Sequence, residues 1–263
     1  MVAADLGLRL WKSKMAVGRM AYQSGFFPQA VHHFRKALDL INEKGLPQEL
    51  LSRTLVGLAK ALGSMGQFEE GERLMNQALS LDLSDQVTDV ELIEDYHQLS
   101  LLYWRAHRQE LANDALKKAW QLLQDHSNPE EVPDELTAKL MKHRAVLAAL
   151  NGDNQKSEKL IDEALDFISG SPDLGKFSTI YGDSLMVKLT LLLEKEHFEE
   201  AQELLPEALK VLDVTRGEQH IKTLELVESI LHMVKEKGRE KDFAKLQIEA
   251  DRIKAMLKKK ELF

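Results

Sequence analysis

Cysteine is absent from the 263 residues. Its absence excludes a disulfide framework, a thiolate zinc site, a cysteine nucleophile and a lipid-anchoring cysteine, and it fits a reducing cytoplasm. Proline is sparse at six residues and glycine is held to fourteen. With abundant Leu, Ala, Glu and Lys this favours helix, because unbranched side chains lose little rotamer freedom there, and almost no strand is expected. Long hydrophobic runs are missing too: no window approaches the roughly 18 apolar residues of a membrane span, so no membrane partner is expected. The opening MVAADLGLRLWKSK lacks a basic start followed by an unbroken apolar stretch, and no signal peptide is expected. Net positive charge is lacking as well. A formal charge of −8 argues against non-specific nucleic-acid binding. That charge is uneven: residues 1–60 hold nine Lys/Arg against four Asp/Glu, leaving 26 against 39 in the other 203, so the N-terminal fifth is the basic end of an acidic molecule.

What is present is a repeat. The stretch GFFPQAVHHFRKAL at 25 returns as GQFEEGERLMNQAL at 66, HRQELANDALKKAW at 107, GDNQKSEKLIDEAL at 152, EHFEEAQELLPEAL at 196 and GREKDFAKLQIEAD at 238. The starts lie 41, 41, 45, 44 and 42 residues apart. A period in this range signals a stacked array. Each copy follows an amphipathic segment such as LLSRTLVGLAKALGSMG, so each unit reads as helix A, a tight turn and helix B. Gly25, Gly66, Gly152 and Gly238 suit a turn that needs positive φ, whereas His107 and Glu196 are expected to turn less well. Ala37, Ala78, Ala119, Ala164, Ala208 and Ala250 fall at one equivalent position of helix B, and Ala30, Gly71, Ala112, Ser157 and Ala201 at another. Small residues there let helix B approach helix A closely, while Phe34, Met75, Leu116, Ile161 and Leu205 fill the volume between units. One unit cannot bury its own apolar face, so neighbours must stack.

Catalytic signatures are as scarce as cysteine. The sequence contains no P-loop, dinucleotide fingerprint, G-x-S-x-G or HExxH, so no enzyme, cofactor or metal site is expected. Two E-x-x-H pairs, Glu94 with His97 and Glu194 with His197, occupy different repeat positions and do not form a di-metal set. His32 and His33 point to adjacent helix faces, and His143 and His232 read as packing or groove residues on A helices.

On these residues the chain resembles the tetratricopeptide repeat family. The family pattern of a small residue on helix A followed by A-x3-F-x2-A on helix B is fullest in the first copy, at Gly18, Ala30, Phe34 and Ala37. The units exceed the family's usual 34 residues by about two helical turns, and they look more like the long-helix variants of kinesin light chains and of Rap and MalT-type regulators. The resemblance implies an all-α, right-handed solenoid of about six repeats, starting near 11, 52, 93, 138, 182 and 224, in a single domain over 1–263 with a C-terminal capping helix. Pro47, Pro133 and Pro172 lie in linkers, where helices stop, and HSNPEEVPDEL reads as a connection inside the array. The sixth copy departs from the pattern, with Phe243 where a small residue belongs.

In the resembled family the A helices line a concave groove that holds peptides. Carried over, this implies a groove surface of Lys12, Met15, Arg19 and Tyr22, then Arg53, Val56 and Lys60, then Glu94, His97, Leu101 and Trp104, with Lys142 in repeat four, Met186 in repeat five and Glu225, Glu228 and His232 in repeat six. Such a groove is basic at its mouth, apolar with an aromatic platform in the middle and acidic towards its end. The expected partner is a protein segment with acidic residues followed by apolar anchors, docking on Arg19, Arg53 and Lys60 and on Trp104, Leu101 and Met186. The alternative for the same residues is a solvated face with Trp104 packed between repeats. The positions of the family's carboxylate clamp for chaperone C-termini hold Met15 and Arg19, Val56 and Gly57, and His97 with Leu101, so that clamp is absent. The functional expectation is a non-enzymatic adaptor in the cytoplasm, the rival a regulatory or sensory module of a signalling or transcription-control system. The last helix carries Phe243, Leu246, Ile253, Met256 and Leu257 on one stripe and lysines at 258 to 260, which suits either a cap or a homodimer contact.

Overall fold

A computed structural model describes residues 2–47, 49–82, 88–216 and 221–260. Among them every regular element is helical, and the chain is an all-α repeat solenoid of helix pairs. It divides into two compact units, 1–132 and 133–263, and the division falls inside the linker 126–133.

The first unit holds three pairs: α1 (Val2–Gln23) with α2 (Phe27–Lys44), α3 (Glu49–Ser64) with α4 (Phe68–Asp82), and α5 (Asp89–Arg105) with α6 (Gln109–Asp125), closed by a 3-10 turn at Pro129–Glu131. The second holds α7 (Asp134–Leu150) with α8 (Asn154–Gly170), α9 (Thr179–Glu194) with α10 (Phe198–Arg216), and α11 (Ile221–Glu236) with α12 (Ala244–Lys260). Within each unit the A helices pack in sequence, α1 on α3 on α5 and α7 on α9 on α11, while α2, α4 and α8 each also pack on the next A helix. The first A helix starts at Val2, well before the expected position near 11. Pro47, Pro133 and Pro172 lie between helices, as their missing N–H and fixed φ require.

All six A–B turns share one hydrogen-bond pattern. The N–H after the left-handed residue donates to the carbonyl five positions back: Phe26 to Ala21 at 2.8 Å, Gln67 to Leu62 at 3.0 Å, Arg108 to Tyr103 at 2.9 Å, Asp153 to Ala148 at 3.0 Å, His197 to Leu192 at 2.9 Å and Arg239 to Val234 at 3.0 Å. This is the Schellman ending, which satisfies carbonyls the helix itself leaves open. His107 and Glu196, expected to turn less well, close the turn at a cost. Both take the same left-handed conformation, with φ of 57° and 63°, and close the same bonds. The difference is strain, about 1–2 kcal/mol for a residue with a Cβ.

Twelve residues separate the two members of each close A–B crossing. The pairs are Gly18 with Ala30, Ala59 with Gly71, Ser100 with Ala112 and Ala145 with Ser157. A Cβ on Gly71 would lie 3.2 Å from the Ala59 carbonyl, so the backbones meet there almost without intervening atoms. Where serine takes part, its hydroxyl donates across the crossing, from Ser100 to the Ala112 carbonyl at 2.7 Å and from Ser157 to the Ala145 carbonyl at 2.8 Å. The large residues use the room that glycine leaves. Phe34 is 2% exposed and its ring fits a slot between Gly18 and Gly57, whose added Cβ atoms would come within 2.8 and 3.0 Å of it. Leu102 packs likewise against Gly63 and Gly71.

The sixth pair is built differently. Its equivalent positions hold Leu231 and Phe243, and α12 begins at Ala244 instead of two residues past the left-handed glycine. Tight turns replace the first helical turn, with Asp242 N–H donating to Arg239 and Phe243 N–H to Glu240. Phe243 is nonetheless buried, in a cluster with Leu246, Val227, Ile230 and Val234. A ring cannot sit where two backbones touch, so the helix start gives way and the ring fills the space.

Candidate functional site

The A-helix face of the first unit carries most of the residues expected to line a groove. Lys12 and Arg19 are exposed on α1, Arg53 is exposed on α3, and Tyr22, Val56, Lys60, Leu101 and Trp104 are half-buried. Heptad-like spacing along α1, with Trp11, Gly18 and Ala21 turned inward, is what leaves Lys12 and Arg19 outside. The α1–α3 seam beneath them is fixed by Trp11, whose indole N–H donates to the Thr54 hydroxyl at 2.9 Å, while that hydroxyl donates to the Leu50 carbonyl.

Rungs of polar contact join one A helix to the next. The Lys60 ammonium stands 5.7 Å from the centre of the Tyr22 ring, within cation–π reach, and 3.9 Å from Glu94 on α5. Gln98 donates to the same Glu94 carboxylate at 2.9 Å. Arg53 donates to Glu91 at 2.6 Å, and Arg105 donates to the Ser64 hydroxyl at 3.1 Å. Burial pushes the Glu91 carboxyl up, but the Arg53 guanidinium and the Thr88 cap outweigh it and hold the group below the ordinary carboxylate range. The charge of the basic mouth is therefore unequal. Arg53 and Lys60 already face carboxylates, whereas among the described residues neither Lys12 nor Arg19 has an ion-pair partner.

Three expected groove residues lie inside the core instead. Met15 is 4% exposed, His97 3% and Met186 1%, so none has surface to offer a ligand in this conformation. An A helix is covered by its own B helix and by helices of the adjoining pairs, as α1 is by α2 and α3 and α9 is by α7, α8, α10 and α11, which widens its buried arc beyond one stripe. On the second unit's A face, Lys142 donates to Asp183 at 3.2 Å between α7 and α9. Glu228 pairs with Lys254 of α12 at 2.7 Å and His232 is exposed beside Glu236. The side chains of Glu225, Met256, Leu257 and the lysines at 258 to 260 lie outside the described residues. Of the E-x-x-H pairs, His97 is buried in α5 while His197 is exposed at the α9–α10 turn. Among the described residues no three His, Asp or Glu side chains converge as a metal site would require.

Sequence reasoning missed Glu91, Gln98, Ser64 and Arg105, which complete the rungs. A signal for the ion pairs was present. Arg53 and Glu91 are 38 residues apart, Lys142 and Asp183 41, and Lys195 and Glu158 37, so opposite charges about one repeat apart mark contacts between successive units.

No protein family's sequence profile matches the chain. No curated protein matches it in sequence. Solved structures do match in fold. NprR in complex with its cognate peptide NprX superposes with a TM-score of 0.70 at 15% identity, over 94% of this chain and 68% of that one. A Rap protein complexed with competence and sporulation factor gives 0.70 at 12% identity, over 96% and 77%. BtubC (BKLC) from P. vanneervenii gives 0.63 at 18% identity, over 90% and 91%. The fold is thus the one shared by these repeat proteins and by kinesin light chain TPR-like repeats, and the tetratricopeptide-like architecture anticipated from the repeat is the architecture the chain adopts.

Proposed function

We propose that the protein is a non-enzymatic adaptor whose A-helix face takes up a segment of another protein, acidic residues first and apolar anchors after. The observation that carries this reading is the uneven charge of the first unit's face. Among the described residues Lys12 and Arg19 stand without carboxylate partners on α1, the Arg53–Glu91 and Lys60–Glu94 rungs follow, and Leu101 and Trp104 offer half-exposed apolar surface on α5. A ligand carboxylate near α1 gains an ion pair without displacing one. Arginine and tryptophan are the side-chain types that most often dominate interface energy. The fold supports the reading, since NprR, which shares it, is seen in complex with its cognate peptide NprX, and a Rap protein in complex with competence and sporulation factor. Lys142 belongs to a second polar patch of the same kind, already paired with Asp183.

The test is site-specific photocrosslinking in cells, with the crosslinker at Leu101 or, as a control, at Lys117 on the exposed side of α6. A protein captured from position 101, and lost when Lys12→Glu and Arg19→Glu are combined without loss of helicity, is the expected result. Capture from position 117 alone would put the partner on the B helices and overturn the assignment.

A further inference from the structure

The last turns of the first unit's A helices meet in a polar cluster. Tyr22 ends α1, Ser64 ends α3 and Arg105 ends α5, and Lys60 lies one helical turn before Ser64 on the same side of α3. The Arg105 guanidinium donates to the Ser64 hydroxyl at 3.1 Å, and that hydroxyl donates to the Tyr22 phenol oxygen at 3.5 Å. The Lys60 ammonium joins them over the Tyr22 ring, and all four side chains are half-buried. Elsewhere, cations that bridge successive helix pairs face a carboxylate: Arg53 faces Glu91, Lys142 Asp183, Lys195 Glu158 and Lys237 Glu196. At Arg105 a hydroxyl stands in that place, and among the described residues no carboxylate pairs with the guanidinium. Lys60 does face Glu94, but 3.9 Å is outside hydrogen-bond reach. The negative end of a helix dipole accounts for a cation in the last turn. It does not account for a neutral hydroxyl where the other rungs carry an acid. The equivalent residues at the ends of α7, α9 and α11 are Leu150, Glu194 and Glu236, so the second unit does not repeat the cluster.

The geometry points to a subsite in which Lys60, Ser64 and Arg105 take a phosphoryl group carried by a side chain of the partner segment, with Tyr22 holding Lys60 and Ser64 in place. A phosphorylated serine or threonine brings a charge of about −1.5 to −2 and three acceptor oxygens. The guanidinium fork can take two of those oxygens side by side, which a point charge cannot, and the ammonium and the hydroxyl supply further donors. A carboxylate has half the charge and one oxygen fewer, so it leaves donors of the cluster unused. Glu94, beside Lys60, competes with the ligand for the ammonium and so limits binding of weaker anions. The subsite rests on the reading of the A-helix face as the docking surface: Trp104, one of its apolar anchors, immediately precedes Arg105 on α5.

The probe is a set of three peptide libraries, each with degenerate flanks around one fixed residue, phosphoserine, serine or glutamate, passed over the immobilised protein. The phosphoserine library should be retained about tenfold more strongly than the other two, the scale set by hydrogen bonds to a charged group. Arg105→Gln should remove that preference and Ser64→Ala should reduce it, whereas Lys117→Gln on the exposed side of α6 should leave it unchanged. Glu94→Gln should strengthen retention of the phosphoserine library. Should Arg105→Gln lower helicity, Arg105→Lys keeps the charge without the fork and should still cut the preference. Equal retention of the phosphoserine and glutamate libraries, or a preference that survives Arg105→Gln, would overturn the subsite. So would inorganic phosphate that shifts the Arg105 side-chain NMR signals while the phosphoserine library gains nothing over serine, since the ligand would then be a free ion. Crosslinking from position 101 that persists alongside either of those results would leave the groove standing without the subsite. Loss of that crosslinking with the phosphoserine preference intact would strike the apolar end of the groove alone.

Discussion

The first four helix pairs and the sixth solve one packing problem in opposite ways. Where Ala59 meets Gly71 two backbones touch, and the bulk moves to Phe34 and Leu102, which fill slots lined by Gly18, Gly57, Gly63 and Gly71. Where Leu231 and Phe243 occupy the same two positions, the bulk sits at the crossing and the backbone retreats by one helical turn. Close packing is thus kept in both, but only the first arrangement keeps helix B whole.

The comparison breaks if Phe243 is merely tolerated. Phe243→Ala should lower stability by about 3–4 kcal/mol, as expected for truncating a buried ring, and should add helical circular dichroism as the turns at 240–243 rewind. A neutral effect in denaturant titration would mean that the ring contributes nothing to its cluster. Gly18→Leu attacks the other arrangement, because its Cβ would meet the Phe34 ring at 2.8 Å. It should cost about 2–3 kcal/mol as overpacking, and adding Phe34→Ala should recover part of that loss in a double-mutant cycle. The smallest effects belong to the turns. His107→Gly and Glu196→Gly should each raise stability by about 1 kcal/mol by removing left-handed strain, while Gly152→Ala should lower it by a similar amount, all read from denaturation midpoints.

Much of this architecture was legible because its determinants are local. A left-handed turn asks for glycine, a close crossing asks for a small residue, and both recur at a fixed spacing that survives the substitutions at His107 and Glu196. The departure at Phe243 was visible for the same reason, although its outcome, a later helix start, depends on what the ring packs against. The site was less legible. Met15 lies between Lys12 and Arg19 on the helix, yet the latter two are exposed and Met15 is buried, since one residue turns the side chain by about 100° and the boundary of the buried arc is set by the helices packed on it, α2 and α3. Met186 illustrates this on α9, where buried residues occur along both sides of the helix. The Arg53–Glu91 and Lys60–Glu94 contacts left a trace in opposite charges about one repeat apart, but which of them meet depends on how successive A helices lie side by side.

The spacing of the crossings bears on how such a chain can lengthen. Residues 18–30, 59–71, 100–112 and 145–157 each carry a crossing's two contact positions and the turn that joins them in thirteen consecutive residues. Unequal recombination that cuts outside these spans inserts or deletes a whole repeat with its crossing still matched. Cuts inside a span are constrained, because a glycine that faces a large side chain, as Gly18 faces Phe34, leaves no room for the alanine or serine of another span. A cut that joins the front of one of these spans to the back of residues 231–243 instead brings Phe243 against a glycine, alanine or serine, so a duplication through the last pair loses the matched crossing that the first four keep.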